Sequence, residues 1–228
     1  MFDLTFTIDD KGAATPLTLP IDQAVIAGWT GRDPVARDKH IAELEAIGIA
    51  RPATTPIYYR VSARRLTMED SIEVCGEHSS GEVEFVLIGW QGRVFVGCGS
   101  DHTDRKVEAY SVPVSKQLCV KPIAPQLWRF EDVADHWDQL TLKSWITEGG
   151  KRVLYQEGKV SAMREPADLF HHYTQSKTLA PGTAMFGGTF AVIGGLRPSS
   201  DFHMALHDPV RQRTIEHSYT ITTLPVTD

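Results

Sequence analysis

The sequence predicts an α+β fold in which strands predominate. Short alternating or β-branched segments recur along the chain, separated by Gly and Pro clusters, and only one segment carries a full set of helix start and stop signals. Composition supplies a third observation. With 228 residues, 42% hydrophobic and 23% charged, the chain is globular and long enough to bury a sizeable core.

The first ten residues, Met1 to Asp10, alternate apolar and polar as a strand does and carry acids at once. A secretory signal would need a basic start and an unbroken apolar run. No apolar run reaches membrane length, so the expected location is the cytoplasm, with no membrane partner. Asp33 to Gly48 reads as a helix: Asp33 caps it, Pro34 suits the first helical position, Gly48 suits the exit, and Ile41, Leu44 and Ile47 form one stripe. A second helix is predicted from Glu165 to Tyr173, and a third around Phe130 to Trp137. The remainder reads as strands, at 57–61, 82–88, 93–98, 140–146, 153–155, 184–186, 202–206 and 214–222. No internal repeat or linker divides the chain.

Acidic residues outnumber basic ones, 29 to 23, for a net charge of −6. The basic residues are scattered and form no phosphate-tracking stripe, which argues against a nucleic-acid partner. Cys75, Cys98 and Cys119 lack CxxC spacing and are expected to be three small core residues in a reducing compartment.

The most informative stretch is Ser80 to Ile88. Glu82 and Glu84 lie two apart, so on a strand they share a face, with Phe85 and Leu87 on the other. A two-residue turn centred on Gln91-Gly92 would bring the chain back so that Trp90 faces Arg93, Glu84 faces Gly99 and Glu82 faces Asp101. Three carboxylates would then converge, and Gly97 and Gly99, lacking side chains, would leave space beside them. Like charges opposed on a sheet are destabilising. A cation removes that penalty, and oxygen ligands favour Mg²⁺, Mn²⁺ or Ca²⁺ over zinc. Taken alone, alternating Glu is more often a solvated outer face.

Further segments, in order and spacing, resemble the fumarylacetoacetate hydrolase superfamily over roughly residues 29 to 224. Glu82-Val83-Glu84 and Asp101-His102-Thr103-Asp104-Arg105 resemble its two metal-site motifs, and Lys116 precedes a Pro122-Ile123-Ala124-Pro125 turn. Gln156-Glu157-Gly158, Thr178 to Gly182 and Gly187-Gly188-Thr189 resemble later motifs. His40-Ile41-Ala42-Glu43 is similar to the His-x-x-Glu pair of a lid helix, where positions three apart share a face. Gly31-Arg32-Asp33 stands where relatives have Gly-Arg-Asn, and Glu108 stands where a substrate-binding Gln is common.

The resemblance implies a multilayer β-sheet or β-roll fold, one domain over 1–228, and usually a homodimer. Within it, 1–28 would be an N-terminal β segment, 29–48 the lid helix region and 49–228 the catalytic β core. It implies Glu82, Glu84 and Asp101 as ligands of Mg²⁺ (or Mn²⁺ or Ca²⁺), and Lys116, His40 and Glu43 as catalytic groups. Arg105, Thr189, Glu108 and Arg32 would contact a small 2-oxo or 1,3-dicarbonyl acid. The implied reaction is hydrolytic C–C cleavage of an acylpyruvate-like acid through a metal-stabilised enolate. Decarboxylation, tautomerisation or hydration of a 2-oxo acid is the alternative within the superfamily, and a non-catalytic acid-binding scaffold is the alternative outside it.

Overall fold

A computed structural model describes residues 2–10, 13–46 and 51–227. In chain order, β1 (Phe2–Asp10), β2 (Ala13–Ile21) and β3 (Gln23–Gly28) precede α1 (Pro34–Ala46) and β4 (Ile57–Val61). The short strands β5 (Leu66–Thr67), β6 (Ser71–Cys75) and β7 (Ser79–Ser80) lead into β8 (Val83–Trp90) and β9 (Arg93–Ser100). β10 (Thr103–Asp104), α2 (Arg105–Glu108), α3 (Val112–Leu118), β11 (Lys121–Pro122) and β12 (Gln126–Arg129) follow. The last third contains β13 (Thr141–Glu148), β14 (Lys151–Lys159), α4 (Pro166–Thr174), β15 (Thr183–Phe186), β16 (Asp201–Asp208) and β17 (Arg213–Leu224).

Eight strands form a curled sheet in the order β2-β1-β12-β9-β8-β15-β3-β4, and five form a second sheet, β14-β13-β16-β17-β6. Alternation along β8 explains how they stack. Val83, Phe85 and Leu87 join a core with Leu142, Phe202, Leu206 and Ile215 of the second sheet. Val86 and Ile88 face the opposite way, into a core that β1 and β2 close with Leu4, Phe6, Ile8, Leu19 and Ile21. The large sheet is therefore buried on both faces near β8, against its neighbour on one side and its own curl on the other. Burying each of these side chains contributes about 1.5–3 kcal/mol.

Helix α1 starts as its sequence dictates. Asp33 Oδ1 accepts from the amides of Val35 at 2.9 Å and Ala36 at 3.3 Å, ahead of Pro34 in the first turn. Ile41 of the stripe is buried. Ile47 and Gly48 lie outside the described residues, as do the side chains of His40, Glu43 and Leu44.

Three expectations need correction. The Phe130 to Trp137 segment is not one α-helix but two 3₁₀ pieces, Phe130–Asp132 and Ala134–Gln139, with non-helical backbone at His136. His136 and Trp137 are both buried, and the φ of −131° at His136 interrupts the helical backbone there. Cys75 is exposed, because β6 alternates and Ile72 and Val74 take its inward face; only Cys98 and Cys119 are buried. Helices α2 and α3, which carry Arg105, Glu108 and Lys116, lie where no helix is predicted. They are four and seven residues long, too short for an apolar period to show.

Candidate metal centre

The β8–β9 hairpin positions the three acids. Gln91 and Gly92 both have positive φ, 49° and 75°, as a type I′ turn requires. The register follows: Trp90 opposes Arg93, Glu84 opposes Gly99 and Val83 opposes Ser100. The Asp101 amide donates to the Glu82 carbonyl at 2.9 Å, which extends the ladder by one rung and sets Glu82 beside Asp101. One oxygen from each of Glu82, Glu84 and Asp101 lies within 4.8 Å of the others.

The two hairpin glycines do not leave open space, contrary to expectation. A Cβ on Gly97 would sit 2.8 Å from Leu127 Cδ2, and one on Gly99 would sit 2.7 Å from Phe186 Cε1 and 2.8 Å from Val86 Cγ2. The glycines let the curl close tightly, so the acids rest on an apolar floor at its end. Glu84 and Asp101 are thereby buried, while Glu82 stays partly exposed.

That setting fixes the electrostatics. Burial pushes the carboxyls of Glu82 and Glu84 up from their ordinary values. For Glu84 the Asp101 charge adds to the effect, while the Gly188 amide, donating to its Oε2 at 2.7 Å, opposes it. Asp101 goes the other way. Burial favours its neutral form, but Lys116 and Lys121 overcome this and hold it well below the usual carboxylate range. Lys116 Nζ bonds Asp101 Oδ2, and Lys121 Nζ lies 3.1 Å from Oδ1 and donates to the His102 carbonyl at 2.5 Å. Burial alone would lower the Lys116 pKa, yet Asp101 and Glu82 raise it, whereas for Lys121 burial prevails and the pKa falls.

Sequence reasoning missed Lys121. Nothing local in the sequence marks this lysine: its burial comes from the pairing of β11 with β5 and from Asp101, neither of which a local period encodes.

Around this centre, Arg105 donates through Nε to Ser80 Oγ at 2.7 Å and through Nη1 to Glu108 Oε2 at 2.9 Å, and its Nη2 lies 3.3 Å from Glu82 Oε1. Arg105 and Glu108 thus adjoin the triad. Thr189 donates to the Val83 carbonyl at 2.7 Å and accepts from Gln156 Nε2 at 2.8 Å. Gln156, which sequence reasoning placed in a motif without a role, also accepts from the Val83 amide at 2.9 Å. Together they brace the start of β8 beside Glu82.

Gly188 has φ 104°, and a Cβ there would fall 1.8 Å from Thr30 Oγ1, so only glycine brings this amide to Glu84. Arg32 forms a bidentate pair with Asp138, both bonds 2.8 Å, and donates to the Met163 carbonyl at 2.9 Å. These contacts fasten the entry to α1 onto the 138–163 region, and none of them is with the three acids. His40 and Glu43 lie on α1, with side chains outside the description.

His102, next to Asp101 in the chain, is fully buried. Tyr219 donates to Ser100 Oγ at 2.8 Å, so its oxygen accepts from His102 Nδ1 at 3.0 Å, and Ser79 donates to Nε2 at 2.9 Å. Burial, with Lys121 and Arg105 nearby, lowers the His102 pKa to about 3, which keeps this ring neutral.

Oxygen donors of this number and spacing suit a hard divalent ion. A cation also relieves the crowding of three adjacent acids, two of which burial makes costly to ionise. The residues present therefore fit such an ion.

A family model described as "Protein of unknown function (DUF2848)" matches residues 27–219. No curated protein matches. Among solved structures, the chain is similar to Cg1458 with inhibitor, at 17% identity and TM-score 0.67, covering 92% of this chain and 81% of that one. It is also similar to 2-keto-3-deoxy-D-arabinonate dehydratase complexed with magnesium and 2,5-dioxopentanoate, at 15% identity and TM-score 0.64, covering 90% and 74%. A third similar structure is 4-oxalocrotonate decarboxylase from Pseudomonas putida G7, complexed with calcium and acetate, at 12% identity and TM-score 0.56, covering 89% and 78%. At these identities the likeness concerns the fold, which is the mainly β fumarylacetoacetate hydrolase type.

Proposed function

The chain belongs to the family of the DUF2848 model, and for a member with this carboxylate centre we propose a divalent-metal-dependent enzyme of the fumarylacetoacetate hydrolase superfamily, acting on a small 2-oxo or 1,3-dicarbonyl acid. The observation that carries this reading is the convergence of Glu82, Glu84 and Asp101 with Lys116 bonded to Asp101. Glu82, Glu84 and Asp101 would hold Mg²⁺, Mn²⁺ or Ca²⁺. When bound, the ion supplies Lewis acidity to the 2-oxo carboxylate of the substrate.

Lys116 places a buried positive charge where negative charge develops on the substrate oxygen, in a setting dry enough to strengthen it. Arg105 fixes the outer face of Glu82. Thr189, whose hydroxyl proton goes to the Val83 carbonyl, would hydrogen-bond substrate as an acceptor. His40 would move a proton at the reacting carbon, oriented by Glu43, with residues 29–48 acting as a lid that excludes water.

The reaction proposed is hydrolytic C–C cleavage of an acylpyruvate-like acid. A lyase reaction, dehydration or decarboxylation, is the second reading, and the dehydratase and decarboxylase among the similar structures favour it. The whole of 1–228 is proposed to act as one unit, as a cytoplasmic homodimer. No helix among the described residues is long and apolar enough to cross a membrane.

The test is Mn²⁺ titration of wild type and of the Glu82, Glu84, Asp101 triple alanine variant, followed by assay on acylpyruvates, oxaloacetate and 2-oxopentenoates. Saturable Mn²⁺ binding lost in the variant, with metal-dependent turnover of one of these acids, is the expected result. Equal Mn²⁺ binding by both proteins would overturn the site. His40→Ala is expected to lower turnover by about 10²–10⁴ at unchanged Mn²⁺ affinity, and unaltered turnover would remove His40 from the mechanism.

A further inference from the structure

Glu108 stands apart from the other acids of the centre. Its carboxylate and that of Glu82 flank a single guanidinium, Arg105, with Nη1 2.9 Å from Glu108 and Nη2 3.3 Å from Glu82. Its side chain is 27% exposed, against 18% for Glu82 and 0% for Asp101. Glu108 is therefore the acid on the solvent side of the centre, one guanidinium away from a metal-ligand candidate. Its charge is felt by both Lys116 and Glu82.

The cations of the centre are all engaged. Arg105 holds Ser80 Oγ, the Ser80 carbonyl, Glu108 and Glu82, and Lys116 and Lys121 both hold Asp101. Four carboxylates thus face three cations among the described residues. A divalent ion leaves one positive charge in excess, which a monoanion cancels and a dianion overshoots. A ligand chelating the ion through its 2-oxo carboxylate and extending outward past Arg105 would bring its far end to Glu108. A second carboxylate there meets like charge. A hydroxyl finds a strong acceptor, since an ionised carboxylate accepts several hydrogen bonds.

We infer, on the reading of the site given above, that Glu108 is a specificity-determining residue. The acid taken would be a monoanionic 2-oxo acid whose far end carries a hydroxyl or another hydrogen-bond donor in place of a second carboxylate.

Two five-carbon acids that differ only at that end, 5-hydroxy-2-oxopentanoate and 2-oxoglutarate, test this by calorimetry on the Mn²⁺-loaded protein, with oxalate as the reference ligand. Wild type is expected to bind the hydroxy acid at least tenfold more tightly. Glu108→Gln keeps an acceptor for Arg105 while removing the charge, and it is expected to narrow the ratio at least fivefold, chiefly by tightening 2-oxoglutarate. Oxalate affinity retained in the variant marks an intact centre.

A wild-type ratio within twofold of unity overturns the inference, as does a ratio unchanged in Glu108→Gln. If oxalate binds but neither five-carbon acid displaces it, the inference fails as well. Should the variant not fold, the wild-type ratio alone decides. Absence of oxalate binding to the Mn²⁺-loaded wild type would instead count against the metal centre itself.

Discussion

An ionised Glu84 is accommodated with difficulty, since it is buried beside two other acids and, among the described residues, only the Gly188 amide donates to it. Glu84→Gln removes the charge and keeps an acceptor for that amide. In the presence of EDTA the variant is expected to melt no lower than wild type, and in Mn²⁺ it should lose most of the stabilisation the ion confers. A bound ligand at free concentration L stabilises by RT ln(1 + L/Kd), which vanishes once Kd far exceeds L. Scanning fluorimetry in the two buffers reads both effects. A variant that melts several degrees lower in EDTA yet responds normally to Mn²⁺ would contradict the assignment. Lys121 poses the reverse case: Lys121→Met leaves half of the buried Asp101 pairing unmade and is expected to cost on the order of 3 kcal/mol, measured by urea denaturation. The convergence of Glu82, Glu84 and Asp101 was legible from strand alternation and a Gly turn together with the family resemblance, since alternation alone reads as a solvated face. Lys121 and the Arg32–Asp138 pair were not, since both depend on contacts that no local period encodes.

At the level of elements, the β8–β9 hairpin follows directly from its residues, whereas the loop that reaches across to Glu84 relies on packing. Gly188→Ala would press a methyl group into Thr30 at a positive φ, with an expected cost of about 2 kcal/mol or more and a weakened Mn²⁺ affinity in whatever folds. An Mn²⁺ affinity and melting temperature equal to wild type would show that this amide does not position Glu84.

The β16–β17 turn supplies a second element-scale prediction. Asp208 is fully buried. It accepts from the amides of Val210 and Arg211, both at 3.1 Å, and pairs with His136 and Arg213. Burial would raise its pKa, yet the Arg211 amide, His136 and Arg213 hold it below the ordinary carboxylate value. A depressed carboxyl contributes stability that is present above the unfolded pKa, near 4, and is lost as the pH falls through the folded one. The melting-temperature gap between wild type and Asp208→Asn should therefore be largest near neutrality and shrink below about pH 4. A gap independent of pH would mean that the charge of Asp208 does no stabilising.

For the whole molecule, a core that joins β8 and β9 to β13, β16 and β17 ties the two sheets together. Unfolding in urea is expected to give one transition, with tryptophan fluorescence and circular dichroism coincident. Two separated transitions would contradict a single unit over 1–228. The strand-rich class and most strand positions were legible because Gly and Pro clusters punctuate alternating segments, as at 57–61, where the expected strand and β4 coincide. The curl was not, because it is set by which strands adjoin. β1 lies beside β12, and β15 lies beside β3, and these partners are far apart in sequence.

Asp101 is gripped by two ammonium groups that belong to the protein itself. The proposed socket for the ion is consequently braced by the protein's own ion pairs, so the fold is expected not to wait on the ion, in contrast to small domains that unfold when stripped of zinc. Chelation should leave the circular dichroism spectrum unchanged, and the emptied protein should regain full occupancy on adding Mg²⁺, without a refolding step. Such a site would behave as an exchangeable berth whose occupant is chosen by the divalent ions in its surroundings.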